Sequence, residues 1–482
     1  GLCSCLPDML IFRSARTVET FIRLRALELS RPPLRALMTI PYQPSGPARN
    51  KKEALARFLW QGRDNACGLL TIRGKMSAFQ EDKTDATQYW RRNLWVCMAG
   101  SFTTLVAMTL LLPFLPLYVA ELGVSDPAAI ARWSGLAYGA TFFTAALTAP
   151  LWGRLADRYG RKLMLIRASL GMAVAMALIG MAEAPWQLVA LRLLAGLLGG
   201  YASGSTILIA SQTPKAHTGW ALGMLSSGIM AGNVAGPLIG GFLPPLIGIR
   251  TTFWLAGALI FLAFIATALL LKEAPRPAAT SSRPSPPSAR PGLGEGMLPL
   301  MLLTGMLLIF ANMSVEPIVT LYVAQFVQQA HQITLVSGVV MSAAALGSII
   351  SAAWLGRLAD RTGHWPVLTG GLAAAALLLI PQALITSAWQ LVALRFLMGI
   401  ALGGLLPCIA SLIRHHVANA QVGRALGWST SAQYVGQVCG PLFGGFVGGW
   451  LGMRVVFLAT AAIMAAGALY NFWWMRRAEG KA

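Results

Sequence analysis

Twelve apolar segments follow one another from Leu94 to near the end of the chain, and they constrain its fold more than any other feature. About 20 apolar residues are enough for a helix to cross the roughly 30 Å hydrocarbon core of a bilayer. The predicted limits are 94–120, 130–152, 163–182, 186–210, 220–247, 251–271, 297–327, 333–355, 366–386, 389–413, 425–450 and 454–475. The sequence therefore predicts an all-α membrane protein with twelve transmembrane helices.

The composition excludes the class of soluble enzymes. Only 11% of the residues are charged, whereas 56% are hydrophobic, and a soluble domain would carry about 25% charged residues. The sequence has no phosphate-binding loop of the Walker type, no paired nucleophile and base within the spans, and no metal-ligand spacing. We expect no enzymatic activity, no cofactor and no metal site, and we interpret the His415-His416 pair as part of a positive loop.

The positive charge predicts the topology. The net charge is +21, and Lys and Arg collect in alternate loops, for example at 154–162, 357–361, 414–424 and 476–477. The loops on the other side hold only Arg132, Arg250 and Arg454. Because positive residues stay on the cytoplasmic side, both termini are predicted to be cytoplasmic in an inner-membrane protein. The retention of positive residues on the cytoplasmic side of the bilayer accounts for this net charge, so we expect no nucleic acid partner.

The sequence also predicts domain boundaries. Residues 1–75 are Arg-rich and have no span-length apolar run, so we expect a non-native or disordered leader before a start at Met76. The alternative is a real basic segment that lies on the anionic membrane surface. Residues 272–296 are rich in Pro, Ser and Arg and are predicted to form a cytoplasmic linker, or alternatively an extended docking segment. The linker separates six-helix bundles at 76–271 and 297–482.

The two halves repeat at an offset of 203 or 204 residues. The segment Gly153 to Arg158 returns as Gly356 to Arg361, and Trp186 to Arg192 returns unchanged as Trp389 to Arg395. Both halves have six spans, so the repeat is parallel. Two such halves form a rocking transporter that works by alternating access, with the substrate between them near the middle of the bilayer.

Several motifs carry a resemblance to a known family over about residues 77–477. The loop between spans two and three matches a superfamily signature at Gly153, Asp157, Arg158, Gly160, Arg161 and Lys162. Span five matches an exporter signature at Gly223, Gly232, Gly236, Pro237, Gly240 and Gly241. The chain thus resembles the major facilitator superfamily. Within it, the chain is similar to the twelve-span drug:proton antiporters, above all to bacterial multidrug exporters of the MdtG type.

The resemblance implies a function. It implies a monomer that uses protons to export drugs or other amphipathic small molecules across the cytoplasmic membrane. The alternative within transporters is an exporter of a specific endogenous solute such as a sugar or a siderophore. A receptor or scaffold with the same fold and a membrane enzyme are alternatives of other classes.

The loop between spans two and three is a candidate gate. The resemblance implies that Asp157 latches the halves together by accepting hydrogen bonds at the start of span eleven, near 423–427, when the transporter faces outward. The alternative is a solvated basic turn. The second copy keeps Gly356, Asp360, Arg361 and Gly363 but has His364 and Trp365 where the first has Arg161 and Lys162, so we expect a weaker role for Asp360.

The glycines of span five allow close helix packing, and Pro237 can kink the span. The resemblance implies a bend that seals the cytoplasmic half of the pathway; the alternative is ordinary packing of small residues. The second half repeats the spacing at Gly427, Gly436, Gly440, Pro441, Gly444 and Gly445.

Three of the charged residues within the spans are candidates for proton coupling or cation recognition. Arg192 and its repeat mate Arg395 lie about six residues into their spans, or roughly 9 Å deep. The resemblance assigns proton coupling to Arg192, and the alternative for both is snorkelling to the interface. Glu316 has the apolar Leu112 as its repeat mate. We predict that Glu316 exchanges protons or recognises a cation, unless it is simply exposed to the external vestibule.

Further polar residues are candidates for the substrate cavity, although helix packing remains the alternative for each. They are Tyr201, Asn233, Asn312, Gln433, Tyr434 and Gln437. An apolar wall is predicted from Trp133, Tyr138, Phe142, Phe143 and Met341.

Overall fold

A computed structural model describes residues 89–214, 216–273, 297–417 and 421–479. The predicted leader at 1–75 and nearly all of the linker at 272–296 lie outside these ranges. The first half contains eight helices, which are α1 Trp90–Thr109, α2 Leu115–Glu121, α3 Pro127–Tyr159, α4 Arg161–Ile179, α5 Pro185–Leu198, α6 Tyr201–Gln212, α7 Thr218–Ile247 and α8 Ile249–Leu270.

The second half repeats this order with seven helices. They are α9 Leu298–Val323, α10 Ala330–Thr362, α11 His364–Ala383, α12 Ala388–Leu402, α13 Leu405–His416, α14 Val422–Leu451 and α15 Met453–Glu479. Each of the twelve predicted apolar segments coincides with one helix or with a broken pair of helices. Within the described ranges, nine spans are long and apolar enough to cross a membrane by length and composition, if each pair broken at glycine counts as one. The all-α prediction is confirmed.

Glycine breaks two spans at equivalent places. The α5–α6 pair is interrupted at Gly200 (φ 105°) and the α12–α13 pair at Gly404 (φ 77°). Residues with a side chain rarely adopt this left-handed conformation, so each break depends on a glycine. The two glycines are repeat mates, and so are Gly160 (φ 108°) and Gly363 (φ 94°). The repeat seen in the sequence is therefore also present in the backbone.

The buried residues form separate cores. One buried cluster lies wholly between Met301 and Ala468. Two others lie between Val106 and Ile260 and between Trp90 and Leu271. Each cluster draws its buried members from one half only. Each half thus has buried cores of its own. The surface between the halves does not share a buried core and is held by other contacts.

Four long helices, here called the gate helices, join the halves: α3 packs along α14 and α7 packs along α10. We call the end of the bundle that carries the Arg-rich loops, at 154–162, 357–361 and 414–424, the basic end. The opposite end is the far end. Every gate helix runs the full distance between the two ends.

Candidate functional site

At the far end, α3 meets α14 with almost no side chains between them. A Cβ atom added at Gly445 would lie 2.6 Å from the Ala131 carbonyl oxygen and 2.9 Å from Gly135 Cα. A Cβ atom added at Gly449 would lie 2.7 Å from the Ala128 carbonyl oxygen. Backbone therefore rests directly on backbone, which only glycine permits at these positions.

The same contact recurs between α7 and α10. A Cβ atom added at Gly241 would lie 2.7 Å from the Thr334 carbonyl oxygen, and one at Gly338 would collide with the Pro237 carbonyl. Among the described residues, two hydrogen bonds also cross between the halves, one at this contact and one between α9 and the segment that joins α1 to α2. Ser342 Oγ donates to the Val234 carbonyl at 2.7 Å, and Thr320 Oγ1 donates to the Pro113 carbonyl at 2.8 Å.

The exporter signature is divided between two contacts. Gly232, Gly236 and Gly240 pack against α1 and the residue after it, where added Cβ atoms would collide with Leu105, Thr109 and Leu110. Gly241 and Pro237 contact the other half, at the far end. A Cβ atom at Gly223 would meet nothing within 4 Å. In this conformation the part of the signature that contacts the other half, Gly241 and Pro237, closes the far end, and the seal in the cytoplasmic half stays a prediction.

The basic end is open. Cβ atoms added to five glycines on the gate helices would meet nothing within 4 Å, and these glycines are Gly153, Gly223, Gly356, Gly423 and Gly427. On α3, Leu147 and Leu151 are 64% and 50% exposed. The halves are closed against each other at the far end and separated at the basic end.

The predicted gating loop lies at this open end. Asp157 and Arg158 are exposed, as are Gly423 and Gly427 at the predicted docking position. The latch between them therefore stays a prediction for a conformation in which this end is closed. The loop is instead tied to its own half, because both carboxylate oxygens of Glu273 accept from the backbone N–H groups of Arg161 and Lys162 at 2.9 Å.

The second copy of the loop has a different arrangement. His364 Nε2 lies 3.8 Å from Asp360 Oδ1, and the Asp360 side chain is 73% exposed. Arg361 and Gly363 are exposed, and Gly356 is partly exposed. Asp360 thus faces a histidine of its own half, in line with the departure from the first copy noted in the sequence.

Both arginines within the spans are buried. Arg192 and Arg395 are each only 1% exposed, so the snorkelling alternative is wrong for both. Arg192 Nε donates to the Ala137 carbonyl at 3.3 Å, and Arg395 Nη1 lies 3.7 Å from Met398 Sδ. Within the described part of the chain, Arg192 Nη1 and Arg395 Nε have no hydrogen-bond partner.

Glu316 lies within electrostatic range of Arg395 and of a residue that interacts with Arg192, although no ion pair among the described residues includes it. Its carboxyl interacts electrostatically with Arg395 in its own half and with the Tyr138 phenol of the other half. Tyr138 in turn interacts with Arg192, and its buried hydroxyl has no hydrogen-bond partner among the residues described. We call Arg192, Tyr138, Glu316 and Arg395 the central cluster. Its members come from both halves and lie in the part of their spans nearer the far end.

The predicted cavity residues divide into two groups. Tyr201 is only 3% exposed, and its hydroxyl pairs with Thr267 Oγ1 at 2.7 Å inside the first half. Its ring packs on Gly100, so Tyr201 is a packing residue and not a cavity residue here. The others are partly exposed and stay candidates; they are Asn233, Asn312, Gln433, Tyr434 and Gln437.

Sequence reasoning missed two parts of the site. The resemblance assigns proton coupling to Arg192 and gives Arg395 no role, although Arg395 is equally buried and interacts electrostatically with Glu316. Tyr138 was predicted as part of an apolar wall, whereas its hydroxyl joins the central cluster. The exact repetition of Trp186–Arg192 as Trp389–Arg395 was the available signal that both arginines occupy equivalent buried places.

The chain is similar to a named family along most of its length. The family model described as Major Facilitator Superfamily matches residues 97–388 and 302–482. The protein named multidrug resistance protein MdtG in Yersinia enterocolitica is 42% identical over 394 residues, which are 82% of this chain and 95% of the relative. The protein of that name in Proteus mirabilis is 40% identical over 393 residues, or 81% of this chain and 98% of the relative.

Solved structures share the fold. A bacterial homolog of the human lysosomal transporter Spinster, in an inward-facing and occupied conformation, superposes with a TM-score of 0.65 at 17% identity, covering 80% of this chain and 97% of that one. The nucleoside transporter NupG superposes with a TM-score of 0.63 at 13% identity, covering 79% and 98%.

Proposed function

This chain belongs to the major facilitator superfamily, in which it is a multidrug efflux transporter, and we propose that protons drive its export through the central cluster. Proton-driven export requires a group that takes up a proton when it faces one side of the membrane and releases it when it faces the other. Glu316 is the carboxyl placed for this task.

The position of Glu316 between the halves is the observation that carries the proposal. Arg395 supplies a buried positive charge within electrostatic range of the carboxyl, and Tyr138 brings the opposite half into the same electrostatic group. A buried arginine favours an ionised partner. When Glu316 takes a proton, the attraction to Arg395 is lost, and the balance between the two conformations of the halves changes.

The basic end is assigned to the cytoplasm by its Lys and Arg residues. The open side of this structure is then the cytoplasmic side, from which a drug enters. Partly exposed polar residues such as Asn312 and Gln437 offer hydrogen bonds to the drug. A cationic drug and a proton would compete for Glu316, because both cancel the same negative charge.

Dye transport in everted membrane vesicles tests this proposal. A pH gradient, acidic inside, is imposed, and uptake of a fluorescent cationic dye is followed for the wild type and for Glu316→Gln. We expect uptake that needs the gradient in the wild type. The variant is expected to lose gradient-driven uptake by about tenfold or more, as for removal of one positioned proton-transfer group.

Glu121→Gln is the matched control, since it makes the same chemical change at an exposed acid outside the central cluster. Its uptake should stay near that of the wild type. Gradient-driven uptake that survives in Glu316→Gln would move the coupling site away from Glu316. Absence of uptake for several dyes in the wild type would favour a specific endogenous solute as the substrate.

A further inference from the structure

An open cavity of about 490 Å³ lies at the basic end of the second half. Gly363, His364 and Trp365 line it at the start of α11, and His415 and His416 line it at the end of α13. We call it the histidine cavity. It is remote from the central cluster, and the proposed transport mechanism does not use it.

The equivalent place in the first half is filled by the chain itself. Glu273 covers the start of α4, with its two oxygens 2.9 Å from the N–H groups of Arg161 and Lys162. Asn93 holds this segment in place, because its amide donates to the Lys272 carbonyl at 2.7 Å and accepts from Lys272 N at 3.1 Å. The Asn93 amide also donates to Gln212 Oε1 at 2.9 Å. The Glu273 carboxylate is thus bound at the N-terminus of α4.

The second half replaces the side chains of this arrangement. At the repeat offset of 203 or 204, Asn93 becomes Met297, Gln212 becomes His416, Arg161 and Lys162 become His364 and Trp365, and Glu273 becomes Arg477. The path of the chain differs too. It leaves the helix after Leu270 to reach Glu273, whereas α15 continues as a helix to Glu479. Within the described ranges, no side chain accepts from the first N–H groups of α11.

The backbone of α11 nevertheless presents these N–H groups as α4 does. Gly363 precedes α11 with φ 94°, and Gly160 precedes α4 with φ 108°. The first half shows which chemistry such a helix start accepts, namely a carboxylate. A helix N-terminus favours an anion through its free N–H groups and its dipole.

The histidines add donors to the cavity. His415 Nδ1 lies 2.8 Å from the Ser411 carbonyl and His416 Nδ1 lies 3.0 Å from the Leu412 carbonyl. A carbonyl can only accept, so each Nδ1 carries a proton; Nε2 accepts in the neutral ring and donates to an anion only in the imidazolium form. The charged group against His364 is Asp360, at 3.8 Å and largely exposed. The remaining wall includes the apolar side chains of Leu412 and Met475.

We propose that the histidine cavity binds a phosphate or carboxylate group carried on an apolar body, in the place that Glu273 fills in the first half. The anion accepts hydrogen bonds from the start of α11 and from Nε2 of His416 in its imidazolium form, and the apolar part lies against Met297, Leu412 and Met475. The ligand is either an anionic phospholipid or a soluble organic anion. Occupancy would brace the second gating loop as Glu273 braces the first.

Binding can be measured on the purified full chain without drug or pH gradient, so that the result is independent of transport. Native mass spectrometry compares retention of phosphatidylglycerol with that of phosphatidylcholine, and calorimetry measures binding of hexyl phosphate. We expect phosphatidylglycerol retention to exceed that of phosphatidylcholine by about tenfold, as a charge-assisted site allows. His416→Glu should reduce the ratio to about one, since it places a negative charge in the cavity.

Gln212→Glu is the matched control, because it makes the corresponding change at the repeat mate, where Asn93 can still donate to the new side chain. Its retention ratio should stay that of the wild type. His364→Glu is a second disruptive variant in case His416→Glu does not fold. Hexyl phosphate binding lost in the same variants would identify a soluble anion site, and a preference seen only with the phospholipid would identify a lipid site. Equal retention of both lipids without hexyl phosphate binding, or a preference that survives both variants, would overturn the proposal.

Discussion

The two ends of the gate helices differ although the same four helices form both. At the far end, Gly135 and Gly445 bring α3 and α14 into backbone contact, and Gly241 and Gly338 do the same for α7 and α10. At the basic end, Cβ atoms added to Gly153 and to its repeat mate Gly356 would meet nothing. Closure at one end and separation at the other are what one rigid rocking motion of the halves produces.

The far-end contact is close but not interlocked. It consists of glycine faces and two hydrogen bonds, donated by Ser342 and Thr320. Neither of the ion pairs found among the described residues joins the halves. Because the glycine faces meet backbone to backbone and each core draws its buried members from one half, the contact can separate without opening either buried core. The difference between the ends shows how the protein can be well packed and still change conformation.

The largest expected effect comes from blocking far-end closure with Gly135→Val. The new Cβ would collide with the Pro441 carbonyl, and overpacking of this kind costs about 1–3 kcal/mol, or roughly five- to 150-fold in the population of the closed state. Labelling of a cysteine placed at the far end should rise, and dye transport should fall. Gly370→Val is the control, as a Cβ atom there meets nothing within 4 Å. Unchanged labelling in Gly135→Val would disprove the far-end gate.

A smaller effect is expected from Ser342→Ala, which removes one hydrogen bond between the halves. The loss of about 0.5–1.5 kcal/mol should raise far-end opening by roughly two- to tenfold. The same labelling measures it. Ser351→Ala serves for comparison, because the Ser351 hydroxyl bonds to Ser348 of its own helix. Equal labelling in both variants would show that the hydrogen bond to Val234 does not hold the far end closed.

The smallest expected effect is that of Asp157→Asn at the basic end. If Asp157 docks at the start of α14 when this end closes, loss of its charge should weaken that state by about 0.3–1 kcal/mol, or roughly two- to fivefold. Transport should fall while labelling at the basic end rises. Asp360→Asn should do less, since Asp360 faces His364 of its own half. Equal losses of transport in Asp157→Asn and Asp360→Asn would show that the two loops contribute equally to closing the basic end.

The sequence predicted the helices well because span length and apolar content are local properties. Through the repeated spacing it also singled out Gly241 and Gly445 of the far-end contact, but not Gly135, Gly338 and Gly449. It did not predict which end they close, because that depends on the conformation and not on the pattern. Tyr201 shows a second limit, since a polar aromatic residue in a span can serve a cavity or pack inside a bundle. Only its neighbours Gly100 and Thr267 decide between these roles.

The separate cores of the two halves bear on how such a protein could arise. A six-helix unit that buries its own hydrophobic residues does not need a partner of matching shape, and a contact made of backbone and glycine works between identical copies. A tandem duplication of one ancestral gene would thus have yielded two units able to meet at once, before their sequences diverged. The acid at 316 opposite leucine at 112, and the histidines that stand where the other copy has Arg161 and Gln212, would then be later departures from that symmetry.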